Sequence, residues 1–110
     1  MKIVYDPIFL QELKNILQNI SYDKPSASRR FGKEIKTKIK QIPQNPFMYR
    51  KSIYFDNIYI RDMIHKGYTI IYEVNPTKKQ LNILSIFNQN KPESSIHLSQ
   101  YVLLQNPNHR

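Results

Sequence analysis

The stretch from Ile58 to Pro92, IYIRDMIHKGYTIIYEVNPTKKQLNILSIFNQNKP, constrains the fold of this chain more than any other. It reads as three successive strands, each rich in β-branched and aromatic residues, joined by two tight connections. Ile58 to Ile64 runs into His65-Lys66-Gly67, where Gly67 supplies the positive φ that a hairpin needs. Tyr68 to Val74 is apolar or aromatic at almost every position, the pattern of a central strand covered on both faces. The polar, Pro-broken turn Asn75 to Lys79 then leads into a third strand, Leu81 to Phe87. Such a sheet must bury its apolar face against a second layer.

That layer precedes it in the chain. Lys2 to Tyr5 alternates as a short strand and stops at Asp6-Pro7, where Asp6 is placed to cap a helix and Pro7 to open it. Phe9, Leu10, Leu13, Ile16, Leu17 and Ile20 recur at three- and four-residue spacing, an amphipathic helix broken by Ser21 to Lys24. Pro25-Ser26 opens a second helix, in which Ala27, Phe31, Ile35, Ile39 and Ile42 form one apolar stripe. Arg29, Arg30, Lys33, Lys36, Lys38 and Lys40 take up much of its remaining surface, and Pro43 and Pro46 end it. Asn45 to Ser52 reads as a loop carrying Met48, Tyr49, Arg50 and Lys51, with Ser52 to Phe55 as a short extended piece before an Asp56-Asn57 turn. The order β-α-α-β-β-β predicts an α+β domain over residues 1–92. Its helical hairpin packs on one face of a small, mainly antiparallel sheet that the first strand joins. A polar tail over 93–110 follows, in which Tyr101-Val102-Leu103-Leu104 is the one apolar cluster and reads either as a short docked helix or as a loose segment.

Charge narrows the function. Seventeen Lys and Arg against eight Asp and Glu give a net charge of +9 and a pI near 9.8, a field that attracts phosphate backbones or acidic protein segments. Cys is absent, which excludes disulfides, thiolate nucleophiles and zinc–thiolate sites. No apolar run approaches the roughly 20 residues of a membrane span, and MKIVYDPIFL lacks the features of a signal peptide. A cytoplasmic location with no membrane partner is expected.

Little in the chain reads as a catalytic constellation. His65 is the one imidazole within the predicted sheet region and a candidate general base, but its expected place in the turn beside Lys66-Gly67 favours a plain solvated imidazole. His97 and His109 fall in the tail, without His or carboxylate partners at metal-ligand spacing, so neither a metal nor another cofactor is expected. Arg50, Lys51, Arg61 and Lys91 are the cations suited to holding a phosphate or a partner. Arg61 alternates with Ile60 and is expected to project with Tyr59 and Met63; its bland alternative is a surface pairing with Asp62 or Glu73. Tyr49, Tyr54, Tyr59 and Tyr68 are possible stacking platforms, of which Tyr49, in a loop beside Arg50, is the best functional candidate. Tyr68 and Tyr72 share a face with Ile70 and Val74 and are assigned to the core.

Several ordered segments carry a resemblance. They are Ser28-Arg29-Arg30-Phe31, Asn45-Pro46-Phe47-Met48-Tyr49-Arg50, Ile60-Arg61, Gly67-Tyr68-Thr69-Ile70-Ile71-Tyr72-Glu73-Val74 and Ile83-Leu84-Ser85-Ile86-Phe87-Asn88-Gln89. Together, over roughly Ile3 to Pro92, the chain resembles the RelE/ParE superfamily of bacterial type II toxin–antitoxin toxins. The resemblance implies a small basic toxin neutralised by a cognate antitoxin that wraps it. It also implies one of two targets: mRNA in the ribosomal A site, cut by RelE-type members, or DNA gyrase, poisoned by ParE-type members.

Residue by residue, the mRNA-cutting pattern fits poorly. Thr69 stands where that branch has an Arg, Asn88 and Gln89 stand where it places basic, His or Tyr residues, and Ile60 and Asp62 stand where it carries lysines. Phe87-Asn88-Gln89-Asn90-Lys91 is similar to the ParE-type ending, with Asn88 in place of the usual His. The resemblance therefore implies a ParE-like gyrase poison. A ribosome-dependent mRNA endonuclease is the alternative, and a degenerate, antitoxin-binding module a third reading. Target contacts are expected at Tyr49, Arg50, Lys51, Arg61 and Lys91. For a nuclease, the catalytic candidates are Arg50, Lys51, Arg61 and His65. The antitoxin is expected to add a strand to an exposed sheet edge and to lay a helix in an apolar groove.

Overall fold

The computed structural model describes residues 1–88; the expected tail and Lys91 lie outside the described residues. Strand β1, Lys2–Tyr5, leads into helix α1, Pro7–Asp23, whose first turn is fixed as the sequence predicts. The Asp6 carboxylate accepts the Ile8 N–H at 2.8 Å and Pro7 stands at the first position, so the helix loses no bond there. One residue, Lys24, separates α1 from α2, Pro25–Gln41, and its N–H is donated to the Ile20 carbonyl. With so short a connection, the helices can only fold back on each other as a hairpin. A turn of 3-10 helix, Ile42–Gln44, ends α2 at Pro43.

The sheet holds β1, then β2 (Arg50–Lys51), β3 (Ile60–His65), β4 (Tyr68–Asn75) and β5 (Gln80–Asn88), in the spatial order β1-β5-β4-β3-β2. β1 runs parallel to β5 and all other pairs are antiparallel, so β1 and β2 form the edges. The β3–β4 turn is tighter than expected: Lys66 and Gly67 both have positive φ, 50° and 81°, as a two-residue hairpin turn demands. His65 is therefore the last residue of β3, paired with Tyr68, and not part of the turn. The extended piece expected at Ser52 to Phe55 is a bent loop instead, and the strand lies just before it, at Arg50–Lys51.

The helices cover one face of the sheet. Phe9 from α1 and Phe31, Ile35 and Ile39 from α2 pack with Ile42 on Met63, Ile70, Tyr72, Val74, Leu81, Ile83 and Ile86 in one buried cluster. The predicted α2 stripe is thus the one that enters the core. On the other face Ile60, Ile71, Leu84 and Phe87 are buried with Phe55 from the loop. A bulge allows β5 to serve both faces. Ile71 pairs with Ser85 but Tyr72 pairs with Ile83, leaving Leu84 as the extra residue. Leu84 and Phe87 thereby reach the second face, while Ile83 and Ile86 stay with the helices.

Candidate functional site

The loop from Asn45 to Tyr59 crosses the β2–β3 edge and is anchored from beneath by the central strand. Tyr72, fully buried on β4, donates its hydroxyl to the Pro46 carbonyl at 2.7 Å. Burial pushes the Tyr72 phenol well above its ordinary value, so it stays a neutral donor. Tyr49 presents its ring edge to Tyr72 at 6.5 Å and is half-buried against the core. At the far end of the loop, Asn57 accepts the Tyr59 N–H at 2.9 Å, a local turn that returns the chain to β3.

Pairing of β2 with β3 sets Arg50 opposite Asp62 and Lys51 opposite Arg61, so three of the predicted cations meet at one edge beside Tyr49. Each is held differently. Arg50 donates to the Asp62 carboxylate at 3.3 Å, and Lys51 lies 3.5 Å from that of Asp56. Arg61 pairs with neither Asp62 nor Glu73. Its Nε donates to the Ile58 carbonyl at 2.9 Å and its Nη1 to that of Tyr49 at 3.2 Å. Its guanidinium carbon stands 4.9 Å from the centre of the Phe47 ring, a cation–π contact. Phe47 in turn meets Tyr59 edge-on at 6.1 Å.

The outer surface of this assembly is apolar. Phe47, Met48, Ile58 and Tyr59 are 43%, 51%, 56% and 41% exposed. Asp62, by contrast, has no exposed side chain and also accepts the Ile53 N–H at 3.1 Å; its Oδ1 has no donor among the described residues. It ties β3, β2 and the loop together.

His65 is not part of this edge. It lies four residues along β3 from Arg61, about 13 Å at strand rise. It is 9% exposed, and its Nε2 lies 3.0 Å from Glu34 Oε1 on α2. Lys66 Nζ reaches the same carboxylate at 2.9 Å. Hydrogen bonds from Lys66 and from His65 hold the Glu34 carboxyl below its usual value. The other tyrosines considered as stacking platforms are packed: Tyr54 against Phe87 at 5.3 Å and Tyr68 against Phe31 at 5.1 Å, leaving Tyr59 the more exposed. Among the described residues no group of three His, Cys, Asp or Glu is placed to hold a metal, and no helix is long and apolar enough to cross a membrane.

Such an edge has the composition of a docking surface: exposed aromatic and aliphatic side chains around an arginine whose geometry is already fixed. The sequence points to the cations but not to Phe47 and Met48, whose only signal is their apolar character in a segment otherwise reading as loop, nor to Ile58, which reads as the start of a strand that in fact begins at Ile60. A second surface lies on the helical layer. Leu10, Leu13, Leu17, Gly32 and Ile35 line an open apolar groove of 350 Å³ between α1 and α2.

Comparison with known proteins agrees with this architecture. The sequence model of one family, the ParE toxin of type II toxin–antitoxin systems (parDE), matches residues 3–92. Among solved structures, the chromosomal ParDE system of P. aeruginosa matches with a TM-score of 0.66 at 17% identity, covering 80% of this chain and 95% of that one. An E. coli RelE toxin mutant in complex with an antitoxin RelBc peptide gives 0.57 at 16%, covering 84% and 86%. The isolated E. coli RelE toxin gives 0.57 at 15%, covering 93% and 98%. At these identities the likeness is one of fold. No curated protein matches the sequence.

Proposed function

This chain belongs to the ParE toxin family of type II toxin–antitoxin systems, and we propose that it poisons DNA gyrase as a protein ligand, without chemistry of its own. The observation that carries this reading is the β2–β3 edge. Tyr49, Arg50, Lys51 and Arg61 gather there beside exposed Phe47, Met48, Ile58 and Tyr59, while the one imidazole among the described residues is held by Glu34 at the opposite end of β3. Phosphodiester cleavage by attack of a ribose hydroxyl needs a proton acceptor and a proton donor beside the cations that hold the phosphate. With His65 engaged elsewhere, the edge offers cations and aromatic rings, which suits recognition better than proton transfer.

The cognate antitoxin is assigned to the two remaining sticky surfaces. An amphipathic helix suits the groove between α1 and α2, where Leu10 stands 50% exposed. An extended segment suits the other edge strand, β1.

The test is a cleavage assay with supercoiled plasmid, purified gyrase, ATP and this protein. Accumulation of protein-linked linear DNA is the expected result. Absence of linear product, together with cutting of mRNA on programmed ribosomes, would replace this reading with the RelE-like one. Absence of both activities in correctly folded protein would leave an antitoxin-binding module.

A further inference from the structure

The outer face of α2 lies apart from the β2–β3 edge and meets the α1–α2 groove only through Lys36, and it carries a dense run of charge. Arg29, Lys33, Lys36 and Lys40 follow at intervals of four, three and four residues. At helical pitch they fall within about 60° of one another and extend over about 16 Å. All four are exposed or half-buried at most, and none takes part in an ion pair among the described residues. The only acid of α2, Glu34, is turned away to His65 and Lys66. From Lys33 the row adjoins a 460 Å³ basin that Arg30, Thr37, Lys38 and Gln41 line together with the paired Glu34 and His65. Nothing in the fold requires this arrangement, since α2 is held by Phe31, Ile35 and Ile39 on its opposite side.

We infer that the Arg29–Lys33–Lys36–Lys40 row is a binding site for the phosphate backbone of duplex DNA, used without regard to base sequence. Charge complementarity carries the inference. Duplex DNA presents a charge every ~1.7 Å of axis, so a row about 16 Å long faces enough phosphates for each cation to find one. An acidic peptide would need carboxylates matched to the same row. A membrane surface would need an apolar face along the whole row; the apolar side chains of α2 are in the core, and of the four cations only Lys36 borders the apolar groove. The helix cannot enter a groove, because α1 flanks it through Leu17 and Gly32, and the β3–β4 turn through Glu34 and Lys66. It therefore lies along the backbone and reads no bases. The choice of DNA over RNA rests on the gyrase reading: a ligand of a DNA-bound enzyme gains by also holding the DNA.

The experiment measures binding of the full chain to a labelled duplex DNA by fluorescence anisotropy, without gyrase, across a salt series. Four phosphate contacts predict a slope of log K against log salt of about −3.6, hence a loss of roughly 100-fold between 50 and 200 mM salt. The variant R29Q/K33Q/K36Q/K40Q should bind more than tenfold more weakly, with a slope near zero. A charge-matched variant, K2Q/K14Q/K24Q/K78Q, removes four cations elsewhere and should keep both affinity and slope. Equal losses in the two variants would overturn the inference in favour of net charge alone. Tighter binding to duplex RNA or to a poly-glutamate peptide would overturn it in favour of those partners. Because gyrase is absent, failure to bind DNA would overturn this site while leaving the proposed function to be decided by the linear-DNA assay.

Discussion

Replacing Tyr72 with Phe isolates the bond on which the edge surface stands. The ring remains, so the packing beneath α2 is unchanged, and only the hydroxyl that the Pro46 carbonyl accepts at 2.7 Å is lost. A neutral hydrogen bond of this kind contributes about 1 kcal/mol net, and an orphaned buried acceptor adds about 1–3 kcal/mol. Pro46 is not fully buried, so water recovers part of the second amount. The expected cost is therefore about 1–2 kcal/mol, a fall in Tm of roughly 5–10 °C for a domain of this size. Urea titration with an unchanged m-value would measure it.

The pH dependence supplies a second readout. Burial raises the phenol above its ordinary value of 10.0, so on unfolding it becomes free to ionise at a lower pH. Its contribution is complete below pH 10 and is lost as pH rises from there towards the folded value. The wild type should lose stability on that alkaline limb by more than Tyr72→Phe does. A substitution costing under ~0.3 kcal/mol, with identical alkaline limbs, would refute the view that β4 anchors the loop.

Three further outcomes are expected. Gly32→Ala adds a methyl in ordinary contact with Leu17, at 3.4 Å, and removes a mid-helix glycine; it should stabilise the fold by up to about 1 kcal/mol in thermal unfolding. Asp62→Ala removes the acceptor shared by Arg50 and the Ile53 N–H and should cost about 1–2 kcal/mol by chemical denaturation, held below the usual cost of a broken buried pair because the Arg50 side chain is 46% exposed. Glu34→Gln should destabilise the fold above pH 4.5, where the native carboxylate is ionised and bound by Lys66 and His65. That difference should shrink as pH falls through the lowered folded value, since this is where the wild type loses the same contribution.

Much of this fold is legible from local chemistry. Asp6-Pro7 and Pro25 mark the helix starts, the Phe31–Ile35–Ile39 stripe marks the face that enters the core, and Gly67 marks the hairpin. What escapes the sequence depends on pairing across the sheet. Two residues, Arg50 and Lys51, carry no readable period, and they are a strand only because Asp62 and Arg61 lie opposite. A charged residue such as Asp62 reads as exposed until β2 and the loop close over it. His65 reads as part of the turn because a lysine seldom adopts positive φ; with Lys66 at 50°, the turn needs only two residues and His65 falls back into β3. Leu84 leaves a visible trace, since adjacent apolar pairs at Ile83-Leu84 and Ile86-Phe87 break the alternation of a regular strand. The bulge is the physical answer to that pattern. At the site, the cations are visible as residue types, but their company is not: Arg61 is fixed by two carbonyls and a Phe47 ring that the loop delivers from 14 positions earlier.

The most direct test of the gyrase reading is DNA cleavage by gyrase measured with the wild type and with Phe47→Ala/Tyr59→Ala, two substitutions at exposed positions of the edge. Linear DNA is expected with the wild type, and at least a tenfold higher concentration requirement for the variant, assayed well below the Tm of both proteins. Linear DNA formed equally well by both would contradict the assignment of the β2–β3 edge as the docking surface. No linear DNA from either, with mRNA cut on ribosomes, would contradict the gyrase reading itself.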